Sequence, residues 1–163
     1  MKKCGDCQAC CVVFSVAEII NKPKWTPCVH QCKTGCAIYP QRPKACRDFV
    51  CYFLQDPQGY VDKETGKRFR FGRDDRPDRL GVIFSSQMVS GQRVIVAHET
   101  YPGASRKPRA KHVIRVLAGH CPVLVHNERG GSTIVGETAD LTRVGGAIHT
   151  DHPAAGLTEH REW

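Results

Sequence analysis

A chain of 163 residues suits one domain or two small ones and buries only a moderate core. No run approaches the ~18–20 consecutive apolar residues that cross a bilayer, so a membrane partner is not expected. The formal net charge of +8 is spread along the chain, and a solvated surface explains it as readily as a nucleic-acid partner does.

The first informative stretch is CGDCQACC, which places Cys4, Cys7, Cys10 and Cys11 within eight residues. The preceding MKK has the charge of a signal-peptide start, but Cys4-Gly5-Asp6-Cys7 follows where an apolar segment should stand. The expectation is therefore cytoplasmic residence, where reducing conditions disfavour structural disulfides. Cys28, Cys32, Cys36, Cys46 and Cys51 continue the series, so nine of the ten cysteines lie within the first 51 residues. A disulfide framework would leave one of these nine unpaired or reaching for Cys121. Inert core cysteines do not cluster at such short spacings beside Gly, Asp, Lys and Gln. Thiolate metal ligation accounts for the pattern, because C-x2-C loops let two sulfurs reach one ion at about 2.3 Å.

Stoichiometry leaves several options open. Two zinc sites of four cysteines each would leave one thiol over, whereas a three-zinc cluster with bridging sulfurs would use all nine. A [4Fe–4S] cluster would take four. Cys4, Cys7 and Cys10 repeat the start of the ferredoxin spacing, but Cys11 follows at once and departs from it. Adjacent Cys10 and Cys11 point in different directions, so they serve different metals or two sides of one cluster. His30, between Cys28 and Cys32, could substitute as a ligand, but an exposed surface histidine is the preferred reading.

CGDCQACC, then Cys28 and Cys32, then C-x-I-Y-x-x-R-P-x-x-C-R-x-F-x-C through Cys36, Ile38, Tyr39, Arg42, Pro43, Cys46, Arg47, Phe49 and Cys51, together resemble the YkgJ-type cysteine-cluster (CxxCxxCC) family, described as zinc- or iron-chelating. The match covers about the first third of the chain. The resemblance implies a metal-binding role, with zinc (two to three ions) or iron, including a [4Fe–4S] cluster, as cofactor. Within the motif, Pro43 suits the first turn of a helix. The run KACRDFVCYFL puts Cys46, Phe49, Val50, Phe53 and Leu54 at helical spacing, an apolar stripe against the site. Cys46 and Cys51 would then lie about 140° apart on an ideal helix, so a shared centre requires the helix to end or distort between them. Arg42 and Arg47 are expected either to offset thiolate charge or to pair with Asp48 or Asp56.

Residues 57–80 are charged and rich in turn formers, a connecting segment with a short hairpin at Thr65-Gly66. The run from Gly81 to Glu99 gives two strands joined at Ser90-Gly91. Val113, Ile114, Val116 and Leu117 mark the buried face of a helix ending near Gly119. CPVLVHNERGGSTIVG is a second strand-turn-strand bent at Gly130-Gly131, with Cys121 as a small buried residue in it. The order β-β-α-β-β predicts a small antiparallel sheet with one packed helix. The expected organisation is α+β overall: a metal-stapled, irregular module over 1–56, the connecting segment, a small unit over 81–137 and a tail over 138–163. His149, His152 and His160 in that tail are read as polar surface.

Arg106, Lys107, Arg109, Lys111 and Arg115 form a basic cluster at the helix start. Phosphate contacts there would be salt-dependent, but Tyr101 is the only stacking aromatic nearby, so a solvated helix face is the preferred reading. The sequence has no Ser-His-Asp order, Gly-rich phosphate loop or H-E-x-x-H helix, and no catalytic residue is nominated. The functional expectation is structural or metal-handling thiolate chemistry. The alternatives are an iron–sulfur redox protein or enzyme component, and a zinc-stabilised nucleic-acid or protein-binding module.

Overall fold

The structure is a computed structural model that describes residues 2–20, 22–89, 91–129 and 132–136. The chain opens with a short helix α1 (Ala9–Val13) and a two-stranded antiparallel ribbon of β1 (Gln31–Cys32) and β2 (Gly35–Cys36). A 3-10 turn at Tyr39–Gln41 leads to α2 (Lys44–Asp48) and α3 (Tyr52–Gln55). A second 3-10 turn at Arg73–Asp75 precedes α4 (Pro77–Leu80). Then come β3 (Val82–Val89), β4 (Gln92–Glu99), α5 (Pro108–Ala118), β5 (Val123–His126) and β6 (Ser132–Val135).

The four long strands form one sheet in the order β3-β4-β5-β6. β3 and β4 are antiparallel with Val82 opposite Glu99 and Val89 opposite Gln92, so a two-residue connection joins them. Its Gly91 takes φ +77°, as hairpin turns of this length require; Ser90 lies outside the described residues, as do Gly130, Gly131 and the tail with its three histidines. The expected all-antiparallel sheet is corrected at its centre, because β4 and β5 run parallel, with Ile95 opposite Val123. The cause is α5, which carries the chain back along the sheet before β5 begins, so the two strands point the same way. The fold is α+β with a mixed sheet.

Strand alternation sorts the side chains of β4. Val94 and Val96 join Val89 and Leu124 on one face, while Ile95 and Ala97 enter the main core with Val113, Ile114, Val116 and Leu117 of α5. The helix thus buries the face that its sequence spacing predicts, and its chain turns at Gly119. Asp75 ties the helix start to the preceding segment, with Oδ1 and Oδ2 each accepting from Arg109 at 2.7 Å and Oδ2 also accepting from the Gly72 N–H. Gly81 ends α4 with φ +80°, where a Cβ would stand 2.6 Å from the Tyr101 hydroxyl and 2.9 Å from Ala104 Cβ. Only glycine suits both that backbone and that contact.

Residues 57–80 contribute to the same core. Asp62 N–H donates to Lys67 O, Gly66 adopts φ +68°, and Val61 bridges Arg68, which forms the expected hairpin. Tyr60, Phe69, Phe71 and Leu80 are buried in the main cluster. The cysteine-rich segment is anchored there too. Ala9, Val13, Phe14, Cys51, Tyr52 and Phe53 belong to that cluster, and the Phe14 ring meets His98 edge-on at 4.8 Å. Trp25 Nε1 donates to Glu99 O at 2.9 Å.

The single apolar stripe expected over 44–54 is corrected. Phe49 and Cys51 take extended backbone, ψ 121° and 160°, so the run divides into α2 and α3. Phe53 is buried, but Val50 falls in the break and is 44% exposed. Pro43 sits one position before α2, and its carbonyl accepts the first helical bond from Arg47 N–H. Cys121 is only partly buried and precedes β5 rather than lying within it.

Candidate metal centre

Four local devices bring the thiols together. Cys7 N–H donates to Cys4 O at 3.0 Å with Gly5 at φ +58°, so the C-x2-C loop closes as a turn. α1 then presents Cys10 and Cys11 at successive positions, about 100° apart around the axis, and the Cys11 carbonyl accepts from Cys28 N–H at 3.0 Å. A turn from Cys28 to Gln31 starts the ribbon that carries Cys36. The break between α2 and α3 finally releases Cys46 and Cys51 from the 140° separation that one continuous helix would impose.

The result is a cavity of about 90 Å³ lined by Cys4, Cys7, Cys10, Cys11, Cys28, Cys36, Cys46 and Cys51. That is several times the ~10–15 Å³ one water requires. Cys32 is not among the lining residues; its Sγ lies 3.7 Å from Thr34 Oγ1 at the exposed end of the ribbon. Val16, Ile19, Ile38, Phe49, Leu54 and Ile83 supply apolar wall, and His30, Lys22 and Arg42 the polar part. All ten cysteines are free. Among the described residues, no three Cys, His, Asp or Glu side chains already stand in the arrangement of a ligand shell; the thiols share a wall.

Lys22 is the residue that sequence reasoning missed. It is 4% exposed, and its Nζ donates to Phe14 O at 2.5 Å, Pro23 O at 2.8 Å and Val12 O at 3.3 Å. Three acceptors call for three N–H donors, which the ammonium has and the neutral amine lacks. Burial lowers the pKa of Lys22, while Cys28, Cys11, Cys10 and Cys46 act to raise it. A buried ammonium needs a counter-charge, and Cys28, Cys11, Cys10 and Cys46, once ionised, act as one. The only sequence signal was a lysine two residues after the apolar Ile19-Ile20 pair.

Arg42 stacks on Tyr39, 3.7 Å from the ring centroid, and donates to Tyr39 O; its positive charge favours the thiolate forms of Cys4, Cys11 and Cys46. Arg47 donates to Arg42 O at 2.7 Å. Asp48 pairs with Lys44, and Asp56 with Lys2 and Arg70. Beside Cys4 and Cys7, Arg76 bridges Asp6 and Asp78 at 2.7 and 2.6 Å.

The thiols differ in acidity for identifiable reasons. Burial pushes Cys7, Cys46 and Cys51 up to about 11 and raises Cys4 despite Arg42 and Arg76. Cys10 donates a hydrogen bond to Cys11, which raises Cys10 and, with Lys22 and Arg42, brings Cys11 down to about 7. Cys11 is thus the thiol of the wall most readily ionised, while burial keeps Cys7, Cys46 and Cys51 protonated at neutral pH. A soft or borderline cation entering such a site would take the place of the protons.

Compared with family profiles, curated proteins and solved structures, the chain matches none.

Proposed function

We propose that this protein binds metal through the thiolates of the N-terminal cavity, in a structural or metal-handling role. The observation that carries the reading is that eight cysteines, drawn from five separate stretches between residues 4 and 51, line one cavity together with a buried lysine. The donor chemistry fits zinc or iron, since thiolates are the usual ligands of both structural zinc and iron–sulfur centres. Cys4, Cys7, Cys10, Cys11, Cys28, Cys36, Cys46 and Cys51 would hold the metal, and Lys22 and Arg42 would offset the charge of the bound thiolates. The motif's resemblance to the zinc- or iron-chelating cysteine-cluster family supports the same reading. A reducing compartment such as the cytoplasm would keep these thiols available.

Zinc is the simpler occupant. An iron–sulfur centre is the second reading, favoured by the apolar wall of Ile19, Ile38, Phe49, Leu54 and Ile83, because burial is one of the protein's means of setting a cluster's potential. Anaerobic purification followed by metal and sulfide analysis separates the two. A colourless protein carrying zinc is expected; broad visible absorption with iron and sulfide would move the assignment to the second reading. Protein without metal, whose fold is indifferent to chelator plus reductant, would overturn both.

A further inference from the structure

The eight thiols of the wall are not one undivided group. Cys51 belongs to the main hydrophobic core, and Cys7 and Cys10 pack against it. Cys28 and Cys46 pack instead on a separate cluster formed by Val16, Ile19 and Ala45. Two different pieces of apolar framework therefore hold the two groups of sulfurs.

α1 is where the groups meet. Cys10 leans on the main core, whereas Cys11 is joined through its carbonyl to Cys28 N–H, and successive helical positions diverge by about 100°. Electrostatic neighbours sort the same way. Cys7 and Cys4 each act on Cys10, Cys7 is coupled to Cys51, and Cys51 to Cys4. Cys46 is surrounded by Cys11 and Cys28. Of the charged groups, Asp6, Arg76 and Asp78 stand beside the Cys4–Cys7 turn, whereas Lys22, acting on Cys28, Cys11, Cys10 and Cys46, and Arg42, acting on Cys4, Cys11 and Cys46, span the seam. Cys10 and Cys11, vicinal on α1 and acting on each other, and the pair Cys4 and Cys11 mark the seam. Cys36 is the remaining thiol of the wall. It lies on β2, paired with the ribbon strand that follows the Cys28 turn.

We infer that the cavity holds two separate four-thiolate metal centres, Cys4, Cys7, Cys10 and Cys51 forming one, and Cys11, Cys28, Cys36 and Cys46 the other. This rests on the proposed metal-binding role and deepens it. The vicinal pair divides between the centres, α1 is their shared partition, and Cys32 belongs to neither. Each divalent ion forms four metal–sulfur bonds, and the protons of its thiols pass to the buffer.

Cobalt(II) is the probe, titrated anaerobically into the reduced, metal-free full chain and read by the visible bands of tetrahedral thiolate cobalt. Two ions per chain are expected. Cys7→Ser and Cys46→Ser should each retain one ion, and Cys32→Ser should retain both. Alkylation of wild-type chains carrying a single cobalt, mapped by mass spectrometry, guards against variants that fail to fold. The protected cysteines should all come from one set of four. One ion or more than two in wild type, loss of both ions in each single variant of a folded chain, or protection that mixes the sets would overturn the division while leaving thiolate metal binding intact. Failure of wild type to bind any cobalt would instead overturn the metal-binding reading itself.

Discussion

At the residue scale, Cys10 and Cys11 show how neighbours in sequence acquire opposite properties. Cys10 gives its proton to a hydrogen bond with Cys11, and Cys11 also senses Lys22 and Arg42. A lowered thiol pKa means that the thiolate is favoured by the fold. That contribution to stability is present above the ordinary value of about 9 and is lost as pH falls through about 7. In metal-free protein, alkylation of Cys11 should therefore rise with pH around 7, while Cys7, Cys46 and Cys51, held near 11 by burial, stay slow until about two pH units later than Cys11 or more. Site-resolved alkylation from pH 6 to 10 measures this. Uniform reactivity of all four would show that the hydrogen bond and the two cations do not act on Cys11 as described.

At the scale of elements, the segment between the cysteine-rich part and the sheet does more than connect them. Asp75 has a fully buried side chain that receives both Arg109 nitrogens and the Gly72 N–H, so one carboxylate fixes the 3-10 turn before α4 to the first turn of α5. Asp75→Ala leaves a backbone donor and a half-exposed guanidinium without their acceptor. The expected loss is about 1–3 kcal/mol, read by urea unfolding, with Arg109→Ala more costly because it strips a fully buried carboxylate of its counter-charge. Equal or reversed losses would put the weight of the tie elsewhere. The engagement of Arg109 here, of Arg115 with Glu64 and of Lys107 over the Tyr101 ring also gives three of the five basic residues at the helix start an intramolecular role. That is the physical content of reading this cluster as a helix face rather than as a phosphate-binding patch.

At the scale of the whole molecule, the main core runs from Ala9 to Val123 and joins the cysteine-rich segment to the sheet. The two parts nevertheless draw on different sources of stability. β3, β4 and β5 are held by paired backbone and by the α5 face. The ribbon β1–β2 has only two residues per strand, and the Val16, Ile19 and Ala45 cluster is small. Metal removal should accordingly raise amide exchange across 28–48 by an order of magnitude or more and leave Val94–Ala97 protected. Hydrogen exchange with and without chelator checks this. Loss of protection in β4 to the same degree would mean that one cooperative unit spans the chain. Among the described residues, no helix is long and apolar enough to cross a membrane.

Much of this was legible in the residues alone. The α5 face was written in Val113, Ile114, Val116 and Leu117, the hairpin in Ser90-Gly91 between two apolar runs, and the concentration of thiols in CGDCQACC and its continuation to Cys51. Local periodicity and turn chemistry determine such features, because they depend on neighbours a few residues apart. Tertiary structure alone decided the rest. The parallel pairing of β4 and β5 follows from where α5 packs, the break after α2 from the burial of Cys51 and Phe53, and the separation of Cys32 from the other eight from the geometry of a two-residue ribbon. The burial of Lys22 among the thiols belongs with them, since three carbonyls from Val12, Phe14 and Pro23 converge on it only once the chain has folded back. Sequence determined which donors this protein has, whereas folding decided which of them face one another, because side-chain encounters between distant segments depend on packing that no local pattern encodes.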